Sequence, residues 1–188
     1  KPKGRKGELT PPPTKVLAEK HGIPVYQFEK IRRPEGIEAL RAFAPDLMVT
    51  AAFGQILSAE NLSIPKYGCI NVHGSLLPKY RGAAPIQWSI IEGEKITGVT
   101  TMLTDVGLDT GDMLLRREVE IGENETAGEL FDRLAAIGAE LLKETIECLE
   151  KGELKPIKQD EAAATKCGMI KKEDGRIDFN RPAQRIHD

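Results

Sequence analysis

Long apolar runs, paired cysteines and aromatic side chains are scarce in this chain of 188 residues. Its three cysteines, Cys69, Cys148 and Cys167, contain no C-x-x-C pair, which excludes a fold held together by disulfides. No apolar segment approaches the roughly 18 residues that span a membrane, and residues 1–13 lack the apolar core of a signal peptide. We therefore expect a cytoplasmic protein with reduced thiols and no membrane contact.

Common catalytic signatures are missing as well. The sequence has no G-x-G-x-x-G, Walker loop, G-x-S-x-G or H-E-x-x-H motif, which argues against the usual nucleotide, hydrolase and zinc sites. Three carboxylates, Asp105, Asp109 and Asp112, share a glycine-containing loop, but their spacing differs from that of an EF-hand. We therefore expect no metal.

Charge is balanced overall but unevenly distributed. The chain has 27 Lys and Arg against 29 Asp and Glu, for a formal net charge of −2. Residues 1–7 hold no acid and four basic residues, Lys1, Lys3, Arg5 and Lys6. Such an arm indicates either a polyanionic partner or a solvated linker, and charge alone leaves both open.

Helices and short apolar strands alternate along the chain. Proline, capping and spacing signals predict helices over residues 14–21, 34–44, 85–91, 126–151 and 181–188. Apolar runs predict strands over residues 23–26, 47–53, 69–73, 98–103 and 113–119. Because runs such as 47–53 do not alternate, we expect them to be buried on both faces. The pattern predicts an α/β fold with a mostly parallel, twisted sheet flanked by helices.

One predicted strand carries a polar pair. Asn71 and His73 share a face because they are two residues apart, and they end the strand at Gly74. Either they are structural residues, or an amide and an imidazole polarise a carbonyl there. A carboxylate from Asp105 or Asp109 could orient the imidazole, and the residues alone leave that choice open. With Ser75 interpreted as a turn hydroxyl and Cys69 as core, acyl transfer to an external nucleophile fits best.

The segments 71–78 and 105–112 resemble the 10-formyltetrahydrofolate-dependent formyltransferases, whose catalytic domain is Rossmann-like. Segments 81–87, 98–100 and 169–178 extend the resemblance over nearly the whole chain. It is closest to the branch of the family whose acceptor is methionyl initiator tRNA. The resemblance implies that Asn71 and protonated His73 hold the formyl oxygen while Asp109 orients His73.

The resemblance also implies binding residues for both substrates. It places contacts to 10-formyltetrahydrofolate at Phe53, Gly54, Gln55, Ile56, Leu57, Ser75, Leu76, Leu77, Pro78, Asp105, Val106, Gly107 and Leu108. Contacts to tRNA are implied at Lys1, Lys3, Arg5, Lys6 and Arg81.

The family pattern extends beyond both ends of this chain. We therefore expect a catalytic domain over residues 1–168 that lacks its first strands, and over residues 169–188 the start of a linker to a C-terminal β-barrel domain. A monomer is expected. Two alternatives remain: a formyltransferase for an amino-sugar nucleotide or another small amine, and a noncatalytic RNA- or anion-binding module of the same fold.

Overall fold

The computed structural model describes residues 2–3 and 8–188, with side chains from residue 10 onward. Its strands and helices follow in the order β1 (Pro2–Lys3), β2 (Glu8–Leu9), α1 (Pro13–Lys20), α2 (Pro34–Phe43), β3 (Met48–Ala51), α3 (Ala59–Leu62), β4 (Cys69–His73), β5 (Arg81–Gly82), α4 (Pro85–Ile91), β6 (Ile96–Leu103), β7 (Met113–Glu120), α5 (Ala127–Lys151), β8 (Lys166–Cys167) and α6 (Ala183–His187). Short 3-10 helices lie at Glu161–Ala163 and Lys172–Gly175.

The central sheet has four strands in the order β3-β4-β6-β7. Strands β3 and β4 are parallel, whereas β6 is antiparallel to both β4 and β7. The α/β fold is thus confirmed, but the sheet formed by the described residues is mixed rather than mostly parallel. For the β6–β7 pair the reason is the direct connection through residues 104–112, because a short loop reverses the strand direction whereas a parallel pair needs a crossover.

Local sequence signals account for the longest helix. The Thr126 hydroxyl accepts the Glu129 amide, and the Glu129 carboxylate accepts the Thr126 amide, so a complete capping box begins α5. Gly152 ends the helix with φ of +69°, a conformation that glycine adopts without a steric cost. The predicted helices at 14–21, 34–44, 85–91 and 181–188 are also present, with small shifts at their ends.

The core lies between α5 and the sheet. Leu130, Leu134 and Leu141 of α5 are nearly inaccessible to solvent and pack with Val99 of β6 and Val119 of β7. Contacts of this kind stabilise the fold through the removal of apolar surface from water. One face of the sheet is therefore committed to packing, which leaves the opposite face for other side chains.

Two strand predictions are wrong in part. Residues 23–28 are irregular, and Ile23 and Tyr26 are more than half exposed. Pro24 lacks an amide hydrogen, and among the described residues no strand lies beside this segment, so it has no ladder to join. Strand β3 alternates between half-buried and exposed residues instead of being buried on both faces, because it is an edge strand of the described sheet.

The C-terminal residues contact the helix α4. Arg185 of α6 donates to the Ile91 carbonyl and pairs with the Glu92 carboxylate. The proposed boundary between a catalytic domain and a linker near residue 169 stays a prediction. In the described part of the chain, none of the helices combines the length and the apolar character that crossing a membrane requires.

Candidate active site

Asn71 and His73 lie on the sheet face that is opposite α5. Val72, between them, packs against the core, where its Cγ1 lies close to Gly138 of α5. Because neighbouring residues of a strand point to opposite faces, Asn71 and His73 point away from this core. His73 is 5% exposed, so its imidazole is enclosed by the segments that cross this face.

Both nitrogens of the His73 ring face acceptors. Nε2 lies 2.9 Å from the carbonyl oxygen of Tyr80, and Nδ1 lies 3.7 Å from Oδ2 of Asp109. The first contact is a hydrogen bond in which the ring must donate, since a carbonyl only accepts. The second exceeds hydrogen-bond distance but brings the carboxylate within ion-pair range of the ring.

Asp109 rather than Asp105 is the carboxylate beside His73. Asp105 accepts hydrogen bonds from the Gly107 amide and the Thr110 hydroxyl, and so closes its own loop. Asp109 has φ of +52°, and its Oδ2 accepts the Gly82 amide at 2.8 Å. Aspartate tolerates this left-handed conformation better than most residues, which helps the loop to turn its carboxylate toward β4.

A hydroxyl of the neighbouring strand holds the Asn71 amide by a hydrogen bond. Thr50 of β3 is the registered neighbour of Asn71, and its Oγ1 donates to Asn71 Oδ1 at 2.9 Å. The Asn71 NH2 group is thereby left as the donor end.

Arg81, the predicted phosphate contact, is bound inside the chain in this structure. Its side chain is 3% exposed and its guanidinium donates to Gln159 Oε1 and to both carboxylate oxygens of Glu161, at 2.8–3.0 Å. A bidentate pair of this kind occupies the fork that would recognise a phosphate. Arg81 therefore holds segments of the chain together.

The predicted folate-binding residues fall into two groups. Phe53, Ile56, Val106 and Leu108 are 43–74% exposed and lie on the loops after β3 and β6. By contrast, the Gln55 side chain bonds to the backbone of Phe28 and Ile31.

The 75–78 segment offers little side-chain surface to a ligand. Ser75 and Leu77 are fully buried, and Ser75 Oγ donates to the Lys79 carbonyl as the turn hydroxyl that the sequence predicts. The side chains of Ser75 and Leu77 are thus covered by the protein in this conformation, and their predicted contact to the folate stays a prediction.

Two further predictions concern the basic arm at residues 1–7 and the absence of a metal ion. Lys1, Arg5 and Lys6 lie outside the described residues, and for Lys3 only the backbone is described. Among the described residues, no group of three or more His, Cys, Asp or Glu side chains is arranged to hold a metal ion.

Comparison with known proteins identifies the family. The model of the family described as "Formyl transferase" matches residues 1–146. The chain belongs to this family. A methionyl-tRNA formyltransferase from Citrifermentans bemidjiense is 60% identical over 99% of the chain, and one from Ruminiclostridium cellulolyticum is 57% identical over 100%. The chain spans 58% and 60% of the lengths of these two relatives.

A solved structure of a sugar 3N-formyl transferase, WlaRD, has a similar fold. It matches with a TM-score of 0.73 at 23% identity, over 92% of this chain and 60% of that one. At this identity the likeness shows the fold alone. The formyltransferase resemblance seen in segments 71–78 and 105–112 is thus confirmed at the level of family and fold.

Two buried thiols of the formyl transferase chain are structural. Cys69 is 1% exposed and Cys167 is 8% exposed, and the Cys167 thiol donates to the Tyr80 carbonyl that also contacts His73. Burial raises the pKa of both Cys69 and Cys167. Both thiols are therefore kept in the weakly nucleophilic neutral form.

The sequence analysis did not predict several residues that hold the side chains of this formyl transferase site in place. Tyr80 contributes its carbonyl, Thr50 its hydroxyl, and Gln159 and Glu161 bind Arg81. A strand pairing predicted between β3 and β4 could have identified Thr50 as a neighbour of Asn71. No comparable signal marks Gln159, because its contacts join segments far apart along the chain.

Proposed function

We propose that the protein transfers the formyl group of 10-formyltetrahydrofolate to the α-amine of methionyl initiator tRNA. The observation that carries this proposal is the 60% identity with a methionyl-tRNA formyltransferase over 99% of the chain. The grouping of Asn71, His73 and Asp109 on one face supports it, because these groups suit acyl transfer to an amine. The proposed acceptor refers to the whole protein, because this chain spans only 58% of the length of that relative.

The reaction forms one C–N bond and breaks another. The acceptor nitrogen attacks the formyl carbon, the formyl oxygen gains negative charge, and the bond from the formyl carbon to the donor nitrogen then breaks. The Asn71 NH2 group, oriented by Thr50, is the neutral donor for that oxygen. Donors aimed at developing charge stabilise the transition state more than the ground state.

His73 supplies the route for the proton. Its Nε2 is bound to the Tyr80 carbonyl at 2.9 Å, whereas Nδ1 is 3.7 Å from Asp109 and forms no hydrogen bond to it. With Nε2 donating, Nδ1 is therefore the ring nitrogen that can accept a proton. Neutral His73, which donates through Nε2, would accept at Nδ1 the proton lost by the attacking amine. The ring protonated in this way is a donor for the formyl oxygen, and it then returns the proton to the donor nitrogen of the folate as the C–N bond breaks.

The exposed apolar side chains near the site suit a flat heterocycle. Phe53 and Ile56 follow β3, and Val106 and Leu108 follow β6. Such surface is what a pterin ring needs on its faces, while the backbone of these loops can bind its polar edge. The folate supplies the activated formyl carbon, and residues 53–57 and 105–108 would hold it.

Single-turnover transfer of labelled formyl tests the proposal. The full-length protein containing this chain should formylate methionyl initiator tRNA and not a dTDP-linked amino sugar. Transfer to the amino sugar alone would replace the proposed acceptor by a small amine. RNA binding without transfer to either acceptor would favour the noncatalytic module instead.

The basic arm should add a salt-dependent contribution to tRNA affinity. Replacing Lys1, Lys3, Arg5 and Lys6 with alanine removes four positive charges. If all four contact phosphates, the slope of log affinity against log salt should fall by about 3 to 4, since each contact releases about one counterion. Filter binding from low to high salt measures the slope.

If the slope of log affinity against log salt is unchanged, the arm does not contact the tRNA and is a solvated linker. Lys20, Lys30, Lys151 and Lys155 are exposed lysines outside residues 1–7, and their fourfold alanine variant is the charge-matched control. Since the acceptor is a tRNA, we also propose a cytoplasmic location. The monomeric state stays a prediction.

A further inference from the structure

A polar cluster links the C-terminal part of the chain to the loop that carries Asp109. At its centre is Gln159, which lies outside the 1–146 segment matched by the family model. The Gln159 Oε1 accepts a hydrogen bond from Arg81 Nε at 2.9 Å. Arg81 is nearly completely buried and is also fixed by Glu161, so the Gln159 side chain is anchored at its oxygen end.

The nitrogen end of Gln159 holds the Asp109 loop. Its Nε2 donates to the Asp109 carbonyl at 2.8 Å and to the Gly111 carbonyl at 2.7 Å. Both hydrogens of the amide are therefore used on either side of Thr110. These bonds restrain the backbone where Asp109 adopts φ of +52°, a conformation that most residues avoid.

The Asp109 side chain is held from the same cluster. Its Oδ2 accepts the amide of Gly82, the residue that follows Arg81. Arg81 thus reaches Asp109 by two routes, through the adjacent Gly82 amide to the carboxylate and through Gln159 to the backbone. Because a long contact of 3.7 Å joins Asp109 to His73, small displacements of this loop change the separation of the pair.

We propose that Gln159 is a positioning residue for formyl transfer, which sets the place of the Asp109 carboxylate beside His73. The inference rests on the proposed function. Gln159 contacts the backbone of the Asp109 loop rather than His73 itself. Its effect on catalysis is therefore exerted through Asp109.

Two substitutions at Gln159 remove different sets of its three hydrogen bonds. Gln159→Glu keeps an acceptor for Arg81 but places a carboxylate oxygen against two carbonyl oxygens, and Gln159→Leu removes all three bonds. In the full-length protein we expect either variant to lower kcat about 10- to 100-fold, because small misplacements of catalytic groups have effects of this size. The KM for tRNA should stay within about 3-fold, since substrate binding is not altered. Gln184→Leu, at an exposed glutamine of α6, is the matched control.

Hydrogen exchange at three neighbouring amides reports the position of Asp109 without any substrate. The Gly82 amide donates to Asp109, whereas the Arg81 and Ala83 amides donate to the carbonyls of Thr165 and Cys167. In both Gln159 variants, we expect faster exchange at Gly82 and unchanged exchange at Arg81 and Ala83. That pattern means that Asp109 has moved while β5 and β8 still pair.

Three results would overturn the proposal. Unchanged kcat in both variants removes Gln159 from catalysis. Unchanged Gly82 exchange together with reduced kcat shows that Gln159 does not act through Asp109. Faster exchange at Gly82, Arg81 and Ala83 together in both variants shows a structural role in attaching the C-terminal segment. An inactive wild-type protein instead contradicts the proposed function, and the exchange data would still decide whether Gln159 positions Asp109.

Discussion

Replacing His73 with alanine should lower the single-turnover rate of formyl transfer by about 100- to 10,000-fold, the range for loss of a general acid or base. The imidazole is the group between the Tyr80 carbonyl and the Asp109 carboxylate, and within the described part of the chain Nδ1 is its nitrogen without a hydrogen bond. Alanine removes the nitrogen that accepts the proton of the attacking amine. The rate is measured with labelled formyl donor and methionyl initiator tRNA at saturating enzyme.

A second substitution separates catalysis from packing. His73 is buried, so alanine also leaves a cavity and an unpaired carbonyl at Tyr80. The amide introduced by His73→Gln could still donate to the Tyr80 carbonyl but could not exchange a proton near neutral pH. We expect a similar loss of rate in this variant with a melting temperature close to that of the wild type.

The control for these variants is another histidine. His21 is exposed at the end of α1, and its substitution by alanine should leave the rate unchanged. Transfer by His73→Gln at the wild-type rate would exclude proton transfer by His73. His73 would then be a structural residue, whose role is to bind the Tyr80 carbonyl.

The sequence carries enough local information for most of the helices. The capping box at Thr126, the proline at position 34 and the glycine at position 152 each act within a few residues, so their effects are visible without a partner. Strands depend on neighbours that local patterns do not reveal. The apolar run at residues 23–26 therefore predicts a strand, although the described residues provide none to pair with it.

For the site too, local patterns predict the residues of one strand but not the partners that the tertiary fold brings to them. The two-residue period of a strand places Asn71 and His73 on one face, which the structure shows. Asp105 and Asp109 are equivalent by spacing, and only the loop conformation distinguishes them. The basic side chain of Arg81 resembles a phosphate ligand in the sequence, whereas its partners Gln159 and Glu161 are brought to it by the tertiary fold.

Removing the donor end of Asn71 should lower the rate of transfer by about 100- to 1,000-fold, as loss of one oxyanion donor does in other acyl-transfer sites. Asn71→Asp is the sharpest change, because the side chain keeps its size and the oxygen that accepts from Thr50. It replaces the NH2 group by a carboxylate oxygen, which repels the negative charge that develops on the formyl oxygen. Single-turnover kinetics with methionyl initiator tRNA measure the effect.

Whether the Asn71 substitution changes kcat or the KM for tRNA decides the role of Asn71. An oxyanion donor acts in the transition state, so kcat should fall while the KM for tRNA changes little. Asn71→Ala should retain more activity than Asn71→Asp, since alanine leaves room for water and introduces no charge. Asn180→Asp, at an exposed asparagine, controls for the added charge. Equal rates for the wild type and Asn71→Asp would exclude the amide from stabilising the formyl oxygen and would make its bond to Thr50 a structural link between β3 and β4.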